Sequence, residues 1–196
     1  MNEELISIGR EIVEEDCIII GSFALRLYLE RTPYIGSIFS KLFSFLDHFR
    51  TYWEIDCTIS HSNALKFYSN LSRKGYEVVP RGSEEYFRIK NQEGYSFDYD
   101  QTFLRKRLKL PNRNGYVYVD VLLVKEETYK ELLRNVTRLD GVHVLGVKKL
   151  KEFYIRGIKR TIPFIGSRSP RKLPSYLLAL LFLYIYDFIS TSLSKR

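Results

Sequence analysis

Three acidic side chains in this chain stand where a packing residue is expected. Glu54 and Asp56 share the stretch TYWEIDCTIS, residues 51–60, and Asp120 is the sole charge in YVYVDVLLV, residues 116–124. A strand alternates its side chains, so Glu54 and Asp56 lie on one face while Ile55 and Cys57 take the other. Two acids side by side on a strand repel each other and lose hydration. A lone acid in an apolar run needs a cation or hydrogen-bond donors. A divalent cation answers both demands, because hard oxygen ligands converging on Mg²⁺ neutralise one another. An edge strand with a wet polar face answers only the first. Asp98 and Asp100, in SFDYD, compete with Asp120 for the third place. They flank a more polar segment, and the basic run Arg105–Lys109 is available to pair with them.

A second pattern carries phosphate chemistry. In CIIIGSFALRLYL, residues 17–29, an apolar run enters Gly21-Ser22 and continues directly into Ala24, Leu25, Tyr28 and Leu29 at helical spacing. Small residues at such a junction let a ligand approach the backbone, and the free N–H groups of the new helix hold phosphate oxygens. A merely tight turn is the plain alternative. Followed by an acid pair and a third acid, the turn reads as a triphosphate cradle beside a Mg²⁺ or Mn²⁺ site.

These residues need elements to hold them. Leu5, Ile8 and Ile12 predict a first helix over 3–14, and Cys17–Ile20 a strand buried on both faces. A helix over Ser22–Leu29 follows, then breakers at Thr32-Pro33 and Gly36-Ser37, then an amphipathic helix from Ile38 to about Phe49. Tyr52–Ile59 predicts a strand and Asn63–Lys74 a helix ended by Gly75. Tyr86–Lys90, Tyr95–Phe103 and Tyr116–Val124 read as an antiparallel set turned at Gly94 and Pro111–Gly115. Glu126–Arg138 reads as a helix, Val142–Val144 as a strand and Val147–Arg160 as a very basic helix. A loop over Thr161–Pro174 and an apolar helix over Leu173–Leu193 close the chain. The expected fold class is α+β: a small mixed β-sheet flanked by helices, with a C-terminal helical segment. Residues 1–145 form its core, and 146–196 pack on that core.

Composition bounds the rest. At 196 residues, 45% hydrophobic and 15% aromatic, the chain has enough apolar content for a real core, so disorder is not the default expectation. A net charge of +8 favours a polyanionic partner: RNA, DNA, nucleotide phosphates or an anionic membrane surface. Lys148, Lys149 and Lys151 open the basic helix and read as a surface for an RNA backbone. Cys17 and Cys57 lie in apolar runs and read as buried thiols of a reducing compartment. With the acidic N-terminus MNEELISIGREIVEED, which is no signal peptide, they predict a cytoplasmic protein. His48, His61 and His143 lack metal-ligand spacing and read as surface or capping residues. The apolar run Tyr176–Tyr186 is interrupted at Asp187, short of the about 20 residues of a bilayer span. A helix buried in the core or in a partner's groove is expected there, with no transmembrane segment.

The ordered set Ile20-Gly21-Ser22, Glu54-Ile55-Asp56-Cys57 and Val119-Asp120-Val121 resembles the DNA polymerase beta-like nucleotidyltransferase superfamily. Within it, GSFALRLYL followed by RTYWEID looks most like the abortive-infection and type IV toxin–antitoxin nucleotidyltransferases, including an Arg four residues before the first acid, here Arg50. The likeness spans residues 17–124 and fades over the basic helix, where Arg156 stands in for a family Lys that contacts phosphate. The chain departs from the pattern in three ways. Its first acid is Glu rather than the commoner Asp. The stretch between Ser22 and Glu54 is long, so residues 32–49 look like an inserted helix. A later Arg-then-Asp motif is not evident in GSRSPRKLPSY.

The resemblance implies metal-dependent transfer of a nucleotide from an NTP to a hydroxyl. Gly21 and Ser22 would hold the β,γ-phosphates, with Arg50 and Arg156 beside them. Glu54 and Asp56 would carry two metals, and Asp120 would complete the second site and help take up the proton. An RNA acceptor, a tRNA end first, is expected, with the hydroxyl of a partner protein second. The alternative is an inactive member of the fold that binds nucleic acid or protein. The intact set of three acids argues against it, because uncompensated buried acids are costly.

Overall fold

The computed structural model describes residues 3–47, 53–92, 101–110, 113–162 and 172–193. The chain opens with α1 (Glu3–Val13), then β1 (Ile18–Ile19), α2 (Gly21–Glu30) and α3 (Pro33–Asp47). Next come β2 (Trp53–Ser60), a short 3-10 turn over His61–Asn63, α4 (Ala64–Arg73), β3 (Glu77–Val78) and α5 (Glu84–Gln92). β4 (Gln101–Leu110), β5 (Arg113–Val124), α6 (Glu126–Leu133), β6 (Val136–Leu139) and β7 (Val142–Leu145) follow, then α7 (Val147–Thr161) and α8 (Lys172–Leu193). The strands form one mixed seven-stranded sheet in the order β3-β4-β5-β2-β1-β7-β6. This is the α+β class expected: a mixed sheet flanked by helices, ending in a helical segment.

β2 lies at the sheet's centre. It pairs antiparallel with β1 and parallel with β5, with Ile19 opposite Cys57 and Asp56 opposite Asp120. Ile55, Cys57, Ile59, Val117, Val119 and Val121, on the face away from the acids, are buried. On the acids' face Glu54, Thr58, Ser60, Tyr118 and Asp120 are buried too, so the pair is covered on both faces. α7 and α8 join the same core: Leu150, Tyr154, Ala179, Phe182 and Leu183 belong to the cluster that holds β1, β2 and α2.

Several elements differ from the expectation, each for a local reason. Gly36 and Ser37 lie inside α3 and do not break it. Pro33 opens that helix, where its missing N–H is no loss. Gly36 is needed for closeness, since a Cβ there would stand 1.9 Å from the Leu29 carbonyl oxygen of α2. The strand expected over Tyr86–Lys90 is the helix α5. Ser83 Oγ accepts the Tyr86 N–H at 3.1 Å, and Glu84 and Glu85 occupy the first turn. The edge strand beside β4 is instead β3. β4 carries the basic run, and its Arg105 pairs with Glu77 and Glu85 while Lys106 pairs with Glu11. Residues 95–100, with Asp98 and Asp100, lie outside the described residues, as does Arg50.

The helix expected over Glu126–Arg138 stops at Leu133. Val136–Leu139 turns back on β7 through Asp140 and Gly141, both at positive φ (51° and 83°). An Asp-Gly pair at positive φ is the two-residue hairpin turn that matches strand twist. α8 runs through Asp187, as expected over Leu173–Leu193, and Lys151 of α7 pairs with that carboxylate at 2.5 Å.

Candidate metal centre

Register builds the site. Asp56 and Asp120 are directly opposite across the parallel β2–β5 pair, and Glu54 lies two residues before Asp56 on the same face. One carboxylate oxygen from each of Glu54, Asp56 and Asp120 lies within 4.8 Å of the others. Glu54 is 7% and Asp120 4% exposed, and Glu54 Oε1 and Asp120 Oδ1 are sealed from solvent. Asp56 is half-buried and forms the open side of the group.

The turn that opens α2 meets this cluster from the β1 side. Ile20 donates its N–H to the Asp56 carbonyl at 2.9 Å, which brings the chain off the sheet exactly beside the second acid's backbone. Gly21 then takes φ +63°, and a Cβ on it would stand 2.0 Å from Asp56 Oδ2. Glycine is required there on both counts. Ser22 donates its N–H to the same Oδ2 at 3.3 Å. The α2 N-cap, Ile20, offers no side-chain hydrogen bond, so the positive end of the helix faces a carboxylate instead. The small-residue junction therefore serves the acid pair before any ligand is considered.

Around the cluster, Phe103 of β4 stands opposite Asp120 in antiparallel register. Tyr118, two residues before Asp120, donates its hydroxyl to Glu85 of α5 at 2.8 Å. Phe103, Tyr118, Val79 and Ile89 form a small core under α5, so that helix walls one side of the carboxylates. Alternation already puts Tyr118 on the face of Asp120, whereas Phe103 was not legible as a site neighbour, because its place depends on the β4–β5 register. Cys57, on the other face of β2, is fully buried. Burial pushes its thiol well above the usual range, with neighbouring Cys17, Asp120 and Asp56 adding to the effect, so it remains a neutral thiol.

The structure thus brings together Gly21, Ser22, Glu54, Asp56 and Asp120. Arg156, Lys148, Lys149 and Lys151 sit on α7. Lys149 bridges Glu131 at 2.7 Å and Glu152 at 3.0 Å, and Lys151 bridges Asp187, so two of the three lysines expected to meet RNA are engaged within the chain. Lys148 and Arg156 are exposed. Lys149 first, with Arg156 and Arg134 adding, holds the Glu131 carboxyl below its usual range.

An all-oxygen donor set fits a hard divalent cation such as Mg²⁺ or Mn²⁺ and is unsuited to thiophilic metals. Three carboxylates this close repel strongly in a buried site unless a cation or a shared proton offsets their charge. Gly21 leaves Asp56 room beside the other two. No protein-family model matches this chain, and neither a curated protein nor a solved structure does.

Proposed function

We propose that this protein is a metal-dependent nucleotidyltransferase that moves a nucleoside monophosphate from an NTP to a hydroxyl acceptor. One observation carries the reading: the convergence of Glu54, Asp56 and Asp120 within 4.8 Å beside the N-terminus of α2. Mg²⁺ or Mn²⁺ held by these acids would supply charge neutralisation of the triphosphate and a more acidic attacking hydroxyl.

The chain's own groups do the rest. Gly21 and the first turn of α2, whose Ser22 N–H meets Asp56 Oδ2, would offer their remaining backbone N–H groups and the helix dipole to the phosphates. The acceptor oxygen forms a bond to the α-phosphorus as the bond from that phosphorus to the bridging oxygen breaks. Pyrophosphate leaves with the electron pair. Asp120 helps take up the proton that the attacking hydroxyl gives up. An RNA end, a tRNA end first, is the acceptor best matched to a net charge of +8, and a partner protein's hydroxyl is second. A place in defence or in a toxin–antitoxin pair follows from the same resemblance.

Incubation with each labelled NTP, Mg²⁺ and total RNA tests this reading. Label on RNA, with pyrophosphate release that stops on chelation and in Asp120→Asn, is the expected result. Label on protein alone would change the acceptor. No transfer with any NTP, together with no effect of Mg²⁺ on the unfolding temperature, would overturn the proposal.

A further inference from the structure

The outer helices carry an apolar stripe beside a basic ridge. α8 buries Ala179, Phe182 and Leu183 in the core. On its opposite side, Leu177, Leu181, Tyr184 and Phe188 recur at spacings of four, three and four residues and are 51–73% exposed. α3 meets α8 through Phe39 against Phe182, with ring centroids 5.4 Å apart. Its own outer side exposes Tyr34, Ile38 and Leu42, one turn apart. Single exposed leucines are ordinary, but aligned large apolar side chains on two adjoining helices mark a contact surface.

The border of the stripe is cationic. Lys151 Nζ of α7 lies 4.4 Å from the Tyr184 ring centroid while it bridges Asp187. Lys148 and Lys159, both exposed, stand at i−3 and i+8 from it along α7.

We propose that this face rests on an anionic lipid surface, with α8 lying in the headgroup plane. Charge complementarity selects the occupant. A second copy would bring two basic ridges and two chains of net charge +8 together. A nucleic acid would satisfy the lysines and leave the leucines in water. Anionic headgroups over acyl chains meet both, with Tyr184 suited to the boundary. Leu173–Ser192 is long and apolar enough to cross a membrane by length and composition. Crossing would strip Ala179, Phe182 and Leu183 from the core, so the helix lies along the interface.

Flotation of the full chain with vesicles decides this. Equimolar phosphatidylcholine and phosphatidylglycerol should carry the protein, phosphatidylcholine alone should not, and added salt should weaken binding. Leu181→Asn with Phe188→Asn should cut the bound fraction about tenfold, as should Lys148→Glu with Lys159→Glu. These side chains are exposed, so circular dichroism and the unfolding temperature should hold. If the apolar pair lost its fold, Leu177→Gln with the lysine pair reads the same two terms. Three results would overturn the proposal. The first is no flotation, and the second is flotation untouched by the apolar pair. The third is a concentration-dependent dimer, dissolved by that pair, without vesicle binding. RNA binding that ignores the apolar pair, again without flotation, would assign the ridge to nucleic acid.

Discussion

Glu54 and Asp120 sit inside the sheet at 7% and 4% exposure, while Leu181 and Phe188 stand at 55% and 73% on the outermost helix. The two regions reverse the usual sorting of side chains in opposite senses. Other charged side chains follow the usual sorting: Arg105 with Glu77 and Glu85, and Lys106 with Glu11, form pairs that reach solvent. In the sheet, fixed register forces like charges together. On α8, apolar groups face outward although Ala179, Phe182 and Leu183 of the same helix are buried in the core. A local sacrifice of stability in an otherwise consistent fold is where a ligand is expected. Removing the offending groups should therefore leave the fold sound or better while abolishing what they bind.

The largest expected effect lies in the sheet. Glu54→Gln with Asp56→Asn should weaken Mg²⁺-dependent NTP binding by more than about a hundredfold, since even indirect supports of a metal are worth 10–100-fold. Titration of a fluorescent NTP with and without Mg²⁺ measures it, and undiminished Mg²⁺-dependent affinity would remove the site. Asp98→Asn and Asp100→Asn should leave most transfer in place. The reverse ranking against Asp120→Asn would move the third ligand to the SFDYD segment.

Gly21 comes next. Gly21→Ala places a Cβ 2.0 Å from Asp56 Oδ2 at φ +63°, so it should cost about 2–3 kcal/mol and lower Mg²⁺ affinity with it. Gly75 has φ +84° with nothing within 4 Å of its Cβ position. Gly75→Ala should cost only about 1 kcal/mol of backbone strain and leave Mg²⁺ affinity alone. Denaturant melts of both variants isolate the carboxylate contact from the strain. Equal costs would mean that Asp56 yields freely to the turn.

How much of this the sequence disclosed depends on the range of the interaction. The acid pair, Asp120 in its apolar strand and the Gly-Ser junction were legible, because alternation and a lone charge are local signals. That Gly21 is required by Asp56 itself was not, since it depends on the β1–β2 pairing. Tyr86–Lys90 misled because aromatic content outweighed Ser83 as a cap. The Asp140-Gly141 hairpin is a local signal as well: Leu139 and Val142 flank a turn pair of the strongest kind, although the acidic and leucine-rich run before it favours a helix. Gly36 looked like a breaker because close helix contact leaves no mark in one segment alone. The pairing of Asp187 with Lys151 was not legible, because Lys151 lies on another helix.

A smaller effect tests charge repulsion directly. Asp120→Asn keeps the shape of the site and removes one of three converging charges. In the absence of metal it should stabilise the fold by about 1 kcal/mol, read from the denaturant midpoint at constant slope. With saturating Mg²⁺ the wild type should regain that difference through binding. A destabilised metal-free variant would show that hydrogen bonds, not repulsion, dominate around this carboxylate.

The smallest effect belongs to a pair that obeys the usual sorting, and it calibrates the others. Lys74, at the end of α4, lies 2.8 Å from Glu15 and 3.2 Å from Glu14, joining α4 to the end of α1. Burial alone would raise the Glu15 carboxyl, but the Lys74 ammonium and the Asn70 amide outweigh it and hold it below the ordinary 4.5. Burial likewise opposes the charge on Lys74, and Glu15 and Glu14 overcome it, so that ammonium is held above 10.5. The signs follow from these directions. The Glu15 contribution is present above the unfolded-state value and is lost as pH falls through the lowered folded one. The Lys74 contribution is present below its unfolded-state value and is lost as pH rises through the raised one. Lys74→Met should thus cost about 0.5–1 kcal/mol at neutral pH, with the deficit shrinking below pH 4.5 and again above pH 10.5. Metal should leave it unchanged, whereas the Asp120→Asn difference should move with Mg²⁺ at fixed pH. A Lys74→Met deficit that responds to Mg²⁺, or an Asp120→Asn gain that does not, would dissolve the distinction between a paired surface charge and one held for a ligand.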